Sequence, residues 1–554
     1  MTFLLLFLMD LLRNFLVLLQ NALVSVLPRP DYILIDLEGP FPQRRARPRF
    51  PGQSLPLSIE ELRERLARVT ADPRVKGVVV KVGDLPAGLA TIESLRNAFR
   101  EVQGRGKQVV FYLPSADLRR YYLASAGNAV VMPPSGDLSI TGLRVEVSFY
   151  RRSLDRLGIE PQFDRIAEYK TAADPFLYPE MQRPHRENLE SILDALFEHL
   201  VKEIAHSRNL DPEAVRRAID DAPLTPAEAK TVGLVDALLY EDELSSFLGT
   251  PERPVRILPW RLARFRLRRR IRWRFRVRGV IGVVQVLGII APGESRNLPL
   301  LGQVSGAESV VRTLRAAERN PRVRALVLYV NSRGGSALAS DLIWREISRL
   351  ARRKPVVAAM GDVAGSGGYY VACGAPYLVA HPATITGSIG VVSGKFFLGN
   401  LLDRLGIHRE ILVRGAQATI ESPFAPYSPR ERERVRKLME EIYARFLSCV
   451  AEGRQKSKEE VIPMAGGRIW TGSQAHSLGL VDELGDLEAA ITRARSLAGF
   501  PRDAEAPVVT LHPPRAVPLP TPARVLTDLE ASLQVLRTLS TETVLTLMPW
   551  DLPI

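Results

Sequence analysis

The sequence predicts an α/β protein made of two tandem copies of one domain, preceded by an apolar N-terminal helix. Three observations carry that prediction. Short runs of Val, Ile and Leu alternate with amphipathic segments, as buried parallel strands alternate with the helices that cover them. The same series returns after residue 278 at a nearly constant spacing. A chain of 554 residues also exceeds what a single core organises, so two or more domains are needed.

The first stretch, Thr2 to Leu27, is rich in Leu, Phe and Val and as a helix could span about 30 Å of hydrocarbon. Asp10, Arg13, Asn14, Gln20 and Asn21 interrupt it near helical spacing and gather on one side. That pattern suits a helix lying in the membrane interface as well as one that crosses it. A basic n-region and an A-x-A site are both missing, which argues against a cleaved signal peptide. Residues 1–28 are therefore read as a membrane anchor or interfacial helix, with a helix buried in an oligomer as the alternative.

The first α/β copy is expected over 29–250. Its strand at Tyr32–Ile35 is followed by a Pro/Arg-rich loop through Pro51 and a helix from Ser58 to Thr70. Strand Gly77–Val82, helix Thr91–Gln103 and strand Gln108–Tyr112 continue the alternation. Residues 251–278 form an Arg-rich linker, 279–500 the second copy, and 501–554 a Pro-rich segment (Pro507 to Pro522) with an amphipathic tail expected to dock as a helix.

The duplication is read from register. Asp72-Pro73-Arg74-Val75-Lys76 matches Asn320-Pro321-Arg322-Val323-Arg324, an offset of 248. The same offset pairs Tyr121-Tyr122 with Tyr369-Tyr370. Further on, Gly233-Leu234-Val235-Asp236 matches Gly479-Leu480-Val481-Asp482 at an offset of 246. A register so nearly constant over about 160 residues is the mark of a repeat.

Composition is that of a folded protein, 46% apolar and 25% charged. The formal charge of +14 suggests nucleic acid until it is located. Arg261 to Arg278 holds ten arginines and no acid, so most of the excess is one stripe and the body is nearly neutral. Within it Arg alternates with Phe, Ile, Trp and Val, giving an extended chain one cationic and one apolar face. Three readings compete: an anionic lipid surface, a solvated edge strand joining the copies, and nucleic acid, which is disfavoured because no recognition fold accompanies the stripe. Two cysteines, Cys373 and Cys449, with no CxxC and no His/Cys cluster, argue against structural zinc and a disulfide scaffold.

The chemistry centres on Val363-Ala364-Gly365-Ser366-Gly367-Gly368-Tyr369-Tyr370, which follows the strand-like run Pro355–Met360 and precedes a helix-like segment. A serine at that junction has unpaired helical N–H groups beside it, and glycines let a carbonyl approach. The plainer reading is a turn whose serine caps the helix. Comparison of the copies decides between them. Ser366 falls opposite Leu118, Gly367 opposite Arg119, and Gly334-Gly335 opposite Pro86-Ala87, so groups suited to an acyl carbonyl and its oxyanion exist only in the second copy. The reverse holds at Glu168–Phe176, where Lys170 is replaced by Ala418. A serine needs a base, and a buried lysine can be one. His381 and His408 stand in no comparable setting. Ala364 breaks the G-x-S-x-G elbow, and Gly390–Phe396 is one residue short of a phosphate loop, with Phe396 where Ser or Thr should stand.

Taken together, Val363–Tyr370, Thr386-Gly387-Ser388-Ile389-Gly390, Asn331–Ser336 and Glu168–Phe176 resemble signal peptide peptidase A in its long, double-length bacterial form. The resemblance covers roughly residues 30 to 500. It implies a ClpP/crotonase-like fold in each repeat and a serine peptidase with a Ser/Lys dyad. It further implies a membrane-tethered homo-oligomer, a tetramer, with no cofactor. Carried over, Ser366 is the nucleophile, Lys170 the general base, Ser388 the residue that orients the lysine, and the backbone N–H groups of Gly334 and Gly367 the oxyanion donors. The sequence departs from the family at Arg333, where proline usually precedes the glycine pair. Expected partners are apolar extended peptides such as released signal peptides, and membrane lipid through residues 2–27. Family membership favours the bacterial inner membrane with an extracytoplasmic body, whereas Arg29, Arg44, Arg45, Arg47 and Arg49 after the anchor favour the opposite side. A non-catalytic scaffold and a crotonase-like acyl-CoA enzyme are the alternative functions.

Overall fold

The computed structural model describes residues 2–46, 53, 55–268, 279–298, 302–501, 506–513 and 545–547. Residues 269–278 of the arginine stripe and 514–544 of the tail lie outside the described residues. The chain divides into two compact units, one of residues 1–144 and 196–278, the other of 145–195 and 279–553. Residues 145–195 lie within the first copy in sequence but fold with the second.

In the first unit, Tyr32–Leu37 pairs in parallel with Gly77–Val82, which pairs with Gln108–Tyr112, then Ala129–Met132 and Ala237–Leu238. Ile257–Pro259 adds to the other edge of Tyr32–Leu37, completing six strands. The strands are runs of β-branched residues, with Val78, Val79 and Val80 fully buried, as suits a parallel sheet covered on both faces. Ser58, the expected start of the first covering helix, is instead its cap: its side chain accepts from Glu61 N, and the helix runs Ile59–Ala71.

The second unit repeats this order. Val280–Ala291, Val323–Ser336, Val356–Gly365, Tyr377–Ala380 and Glu483–Leu484 are neighbours in that sequence, all parallel. The repeat extends to side chains. Tyr121 Oη donates to Leu234 O at 2.9 Å, and Tyr369 Oη donates to Leu480 O at 2.9 Å. Arg208 pairs with Asp236 at 2.7 Å, and Arg454 with Asp482 at 2.6 Å. Those aspartates in turn accept from Val130 N and Leu378 N, each at 2.7 Å. Buried polar groups with matching partners in both units are one packing solution used twice.

The copies part where two strands continue. Gly77–Val82 stops, while its counterpart runs on to Ser336. Gln108–Tyr112 is interrupted at Pro114 and resumes as the separate strand Ser115–Asp117 beside Asp137–Ser139, while its counterpart runs unbroken to Gly365. Proline has no N–H to give a central ladder. Gly335 allows the longer strand: at φ +153°, an added Cβ would sit 2.0 Å from Ile290 O. The extra lengths carry Asn331–Ser336 and Gly361–Gly365, the approaches to Ser366.

The apolar N-terminal stretch is one helix, Thr2–Val26, long and apolar enough by composition to cross a membrane. Asp10, Asn14, Val17 and Val24 are buried, whereas Leu8, Leu12, Phe15, Leu16, Leu19 and Leu23 are exposed. Its polar stripe faces the protein and its apolar face points outward, the inverse of a helix on a water-facing surface. At the other end of the chain the expected docking helix is not what the described residues form: Leu545–Leu547 is a strand, held by backbone pairing to Gly334–Ser336.

Candidate active site

Ser366 stands between the end of Val356–Gly365 and the helix Gly367–Ala372. Its backbone is at φ 55°, ψ −116°, a strained conformation for a residue with a Cβ. Two hydrogen bonds fix it: Ser366 N donates to Gly387 O at 2.7 Å, and Ser366 O accepts from Tyr370 N at 2.8 Å. The side chain makes no capping bond to its helix, so the plainer reading of a capping serine fails. The first copy shows the contrast. There Asp117 accepts from Arg120 N and caps the equivalent helix, Leu118–Ala124, so its amino end is already satisfied. In the second copy Gly367, the first helical residue, has an N–H with no intrahelical acceptor. Gly368 lets this turn pack on the neighbouring strand, since a Cβ there would lie 2.5 Å from Ser332 O.

Lys170 reaches Ser366 from the segment that changed units. Glu160–Ile166 pairs antiparallel with Val391–Phe397 over seven residues, so the sequence that looked like a phosphate loop is one strand of a ladder. Beyond Ile166, Ala167 turns at φ 90° and the chain enters the site. Lys170 Nζ lies 2.6 Å from Ser366 Oγ, 2.9 Å from Ser388 O and 3.0 Å from Ser388 Oγ. All three residues are 0% exposed. Burial pushes the Lys170 amine well below the usual lysine range, and its described hydrogen-bond partners include no carboxylate. The lysine and serine meet within one chain.

A frame that the sequence did not reveal holds the lysine loop. Tyr169 N donates to Gly466 O at 2.9 Å, and Asn188 Nδ2 donates to Tyr169 O at 3.2 Å while Asn188 Oδ1 accepts from Ile469 N. The Arg468 guanidinium lies 3.9 Å from the Tyr169 ring centroid and donates to its hydroxyl, which donates to Glu187. Below the loop, Arg165 pairs with the buried Asp174 at 2.5 Å. Burial raises the Asp174 carboxyl, with Arg165 opposing that shift. The nearest signal was Gly466-Gly467, a glycine pair with no turn assigned to it. Ser388 itself sits at φ 53° and donates its N–H to Arg468 O at 2.6 Å.

Of the two proposed oxyanion donors, Gly367 N–H is the helix-end group described above. Gly334 N–H is engaged, donating to Ser332 Oγ at 3.1 Å, an acceptor the sequence argument had not singled out. Arg333 leaves Asn331–Ser336 in strand conformation through the glycine pair. His381 is buried, with its N–H donating to Thr384 Oγ1, and His408 is exposed beside Glu410. Neither hydrogen-bonds Ser366 among the described contacts.

The model of peptidase family S49 matches residues 101–250 and 348–500, one match in each copy. The chain is 32% identical over 464 residues to "Serine protease SPPA, chloroplastic" of Arabidopsis thaliana, covering 83% of this chain and 68% of that protein. It is 31% identical over 454 residues to "Protease 4" of Haemophilus influenzae, covering 78% and 72%. Among solved structures, ClpP1 from Listeria monocytogenes has a TM-score of 0.23 at 18% identity, covering 37% of this chain and 91% of that one.

Gly467 tests the frame directly. At φ +79°, an added Cβ would lie 2.3 Å from Lys170 N. Gly467→Ala is expected to cost about 1–3 kcal/mol, the scale of one strained backbone site, read as a lower unfolding midpoint. An unchanged midpoint would mean that the lysine loop is not held at this point.

Proposed function

The chain belongs to peptidase family S49 and is a serine peptidase, and from that premise we propose that Ser366 is its nucleophile and Lys170 its general base. The observation that carries the reading is the 2.6 Å approach of Lys170 Nζ to Ser366 Oγ in a site closed to water. A neutral amine has two hydrogens and one lone pair. Donating to both oxygens of Ser388 uses the hydrogens and leaves the lone pair for the Ser366 hydroxyl proton. Ser388 is thus a positioning residue. As Ser366 Oγ attacks a peptide carbonyl, Lys170 takes its proton, then returns it to the leaving amine and afterwards activates water. The oxyanion is received by Gly367 N–H and by Gly334 N–H once the latter leaves Ser332 Oγ. A scaffold would not need an amine held on a hydroxyl in this way, and acyl-CoA chemistry would not need Lys170.

Substrates on this reading are extended apolar peptides, released signal peptides among them, which agrees with the outward apolar face of Thr2–Val26. That face would anchor the enzyme in the bacterial inner membrane with its body outside the cytoplasm. The chain would work as a homo-oligomer, supported by its repeat. Glu160–Ile166 pairs with Val391–Phe397. By the 248 offset, the counterparts are His408–Arg414 and Leu143–Phe149, and neither forms a strand in the described structure. His408–Arg414 is exposed, Leu412 at 92%. Pairing it with Leu143–Phe149 of a second copy would repeat the same ladder head to tail, and such contacts close into rings.

Each of these statements has its own measurement. Ser366→Ala and Lys170→Ala should each lower peptide hydrolysis by about 10⁴–10⁶-fold with folding retained, and a serine-reactive phosphonate should label Ser366. The active amine is the neutral one, so kcat/KM should fall as pH drops through the lowered Lys170 value. An acid limb at the ordinary lysine value of about 10.4, or a dyad variant cleaving at the parental rate, would sink the mechanism. Deleting residues 2–26 should move the protein from the membrane to the soluble fraction, and protease added to intact spheroplasts should digest the full-length body. Leu412→Asp should shift the oligomer to smaller species in sedimentation, and an unchanged distribution would remove the proposed ladder.

A further inference from the structure

The arginine stripe begins in the described part of the first unit, and the way it is fastened decides what its side chains can meet. Ile257–Pro259 is the edge strand on Tyr32–Leu37, and a short helix, Trp260–Ala263, follows it. The chain then runs to Arg268 beside the end of the apolar helix Thr2–Val26. Arg74 joins the two segments. Asp72 holds its guanidinium with contacts of 2.9 and 2.7 Å, and its other N–H groups donate to Val24 O at 3.1 Å and to Arg266 O at 3.0 Å. Arg268 donates to Ser25 Oγ at 2.8 Å, and Arg68 donates to Arg264 O at 2.6 Å. At Arg264 and Arg266 the acceptor is a backbone carbonyl, so their side chains take no part in the fastening. Among the described ion pairs, none involves Arg261, Arg264 or Arg266.

The side chains left over are of two kinds. Arg261 and Arg264 are exposed, and so are Leu262 and Phe265, at 49% and 59%. The Arg264 guanidinium lies 4.6 Å from the Phe265 ring centroid, and the Trp260 ring carries those of Arg65 and Arg68 at 5.3 and 5.2 Å. The exposed apolar face of the helix ends at Val26 and Leu27, next to the Ser25 that holds Arg268. The fold itself does not need the cluster. The corresponding edge strand of the second unit, Val508–Thr510 on Ile281–Val283, is followed by Leu511-His512-Pro513, with no arginine. Cations alone would suit any polyanion. Cations interleaved with exposed Phe and Leu, at the end of an apolar helix, suit the boundary between headgroups and acyl chains. We propose that Trp260–Arg268 is a collar for anionic phospholipid, with Arg261, Arg264 and Arg266 on headgroup phosphates and Leu262 and Phe265 at the acyl boundary. The proposal rests on the reading of Thr2–Val26 as the membrane anchor, whose carboxyl end the collar holds at the bilayer surface. At about fivefold in binding for each arginine near an anionic surface, three give a preference of about 100-fold over a neutral one.

The full-length chain tests this, beside a variant combining Arg261→Gln, Arg264→Gln and Arg266→Gln. The carbonyls that Arg68 and Arg74 hold are kept, so the variant should retain the parental unfolding midpoint and peptidase rate. In nanodiscs of phosphatidylcholine mixed with phosphatidylglycerol, amide exchange over residues 260–268 of the parent should be about tenfold slower than in phosphatidylcholine alone. High salt should remove the difference, and the variant should not show it. Equal exchange of the parent in the two lipids, or a difference that the variant keeps, would overturn the collar. Duplex DNA slowing exchange over the same residues as much as the anionic lipid does would overturn it in favour of nucleic acid. Flotation keeps the collar and the anchor apart. A full-length chain that does not float with phosphatidylcholine vesicles would remove the anchor reading, and salt-sensitive flotation with phosphatidylglycerol vesicles, lost in the variant, would still decide the collar.

Discussion

The structure turns on a buried amine with no counter-ion among the described residues. An ammonium in that position would keep its charge at a cost of several kcal/mol, so the group is held towards its neutral form instead. Satisfying its two hydrogens then becomes a demand on the surrounding backbone, and Ser388 meets it with a carbonyl and a hydroxyl at 2.9 and 3.0 Å. The demand is visible as strain. Of the five non-glycine residues described at positive φ, three are Ala167, Ser366 and Ser388. Ala167 turns the chain three residues before Lys170, and Ser366 and Ser388 are the residues its amine touches, so the strain sits where neighbouring hydrogen bonds over-determine it.

Duplication explains how such a site could be added to an ordinary α/β domain without rebuilding it. The tyrosine, arginine and aspartate contacts that hold the sheet to its last helices are the same in both units. Around the serine, the differences lie at strand ends and one helix start. Asp117 caps its helix and closes that end; Ser366 does not cap, and leaves the N–H groups open. Pro86 and Pro114 stand where the second unit has Gly334 and Asp362, and only in the second unit do those strands run unbroken. A few backbone-directing residues thus separate a packing module from a reactive one.

Much of this was legible in the sequence because it depends on local pattern. Strand and helix runs, the repeat offset, and the complementary loss of serine from one copy and lysine from the other are all one-dimensional signals. The exchange of residues 145–195 between units was not legible, since its strand, Glu160–Ile166, shows no feature that names Val391–Phe397 as its partner. Nor was the role of Gly467, which depends on how closely another backbone passes it. The direction of the polar stripe of Thr2–Val26 was not legible either, because spacing gives the grouping of polar residues but not the side they face. The tail was expected to be helical from its amphipathic pattern. Over Leu545–Leu547, backbone pairing with Gly334–Ser336 and Val392 outweighed that local preference.

The route of the lysine has a consequence for how the enzyme becomes competent. The second copy carries Ser366, Ser388 and the glycine donors, but at the lysine position it has Ala418. The first copy carries the lysine, but Leu118 stands opposite the serine. With Lys170 as base, neither copy holds a working pair, and chemistry becomes available only when Glu160–Ile166 has zipped onto Val391–Phe397 and the loop has closed over Gly466-Gly467. That pairing is long in sequence separation, and such contacts bear the largest loop-closure cost in folding. On the proposed dyad, the nucleophile therefore stays unactivated until that long-range pairing has formed.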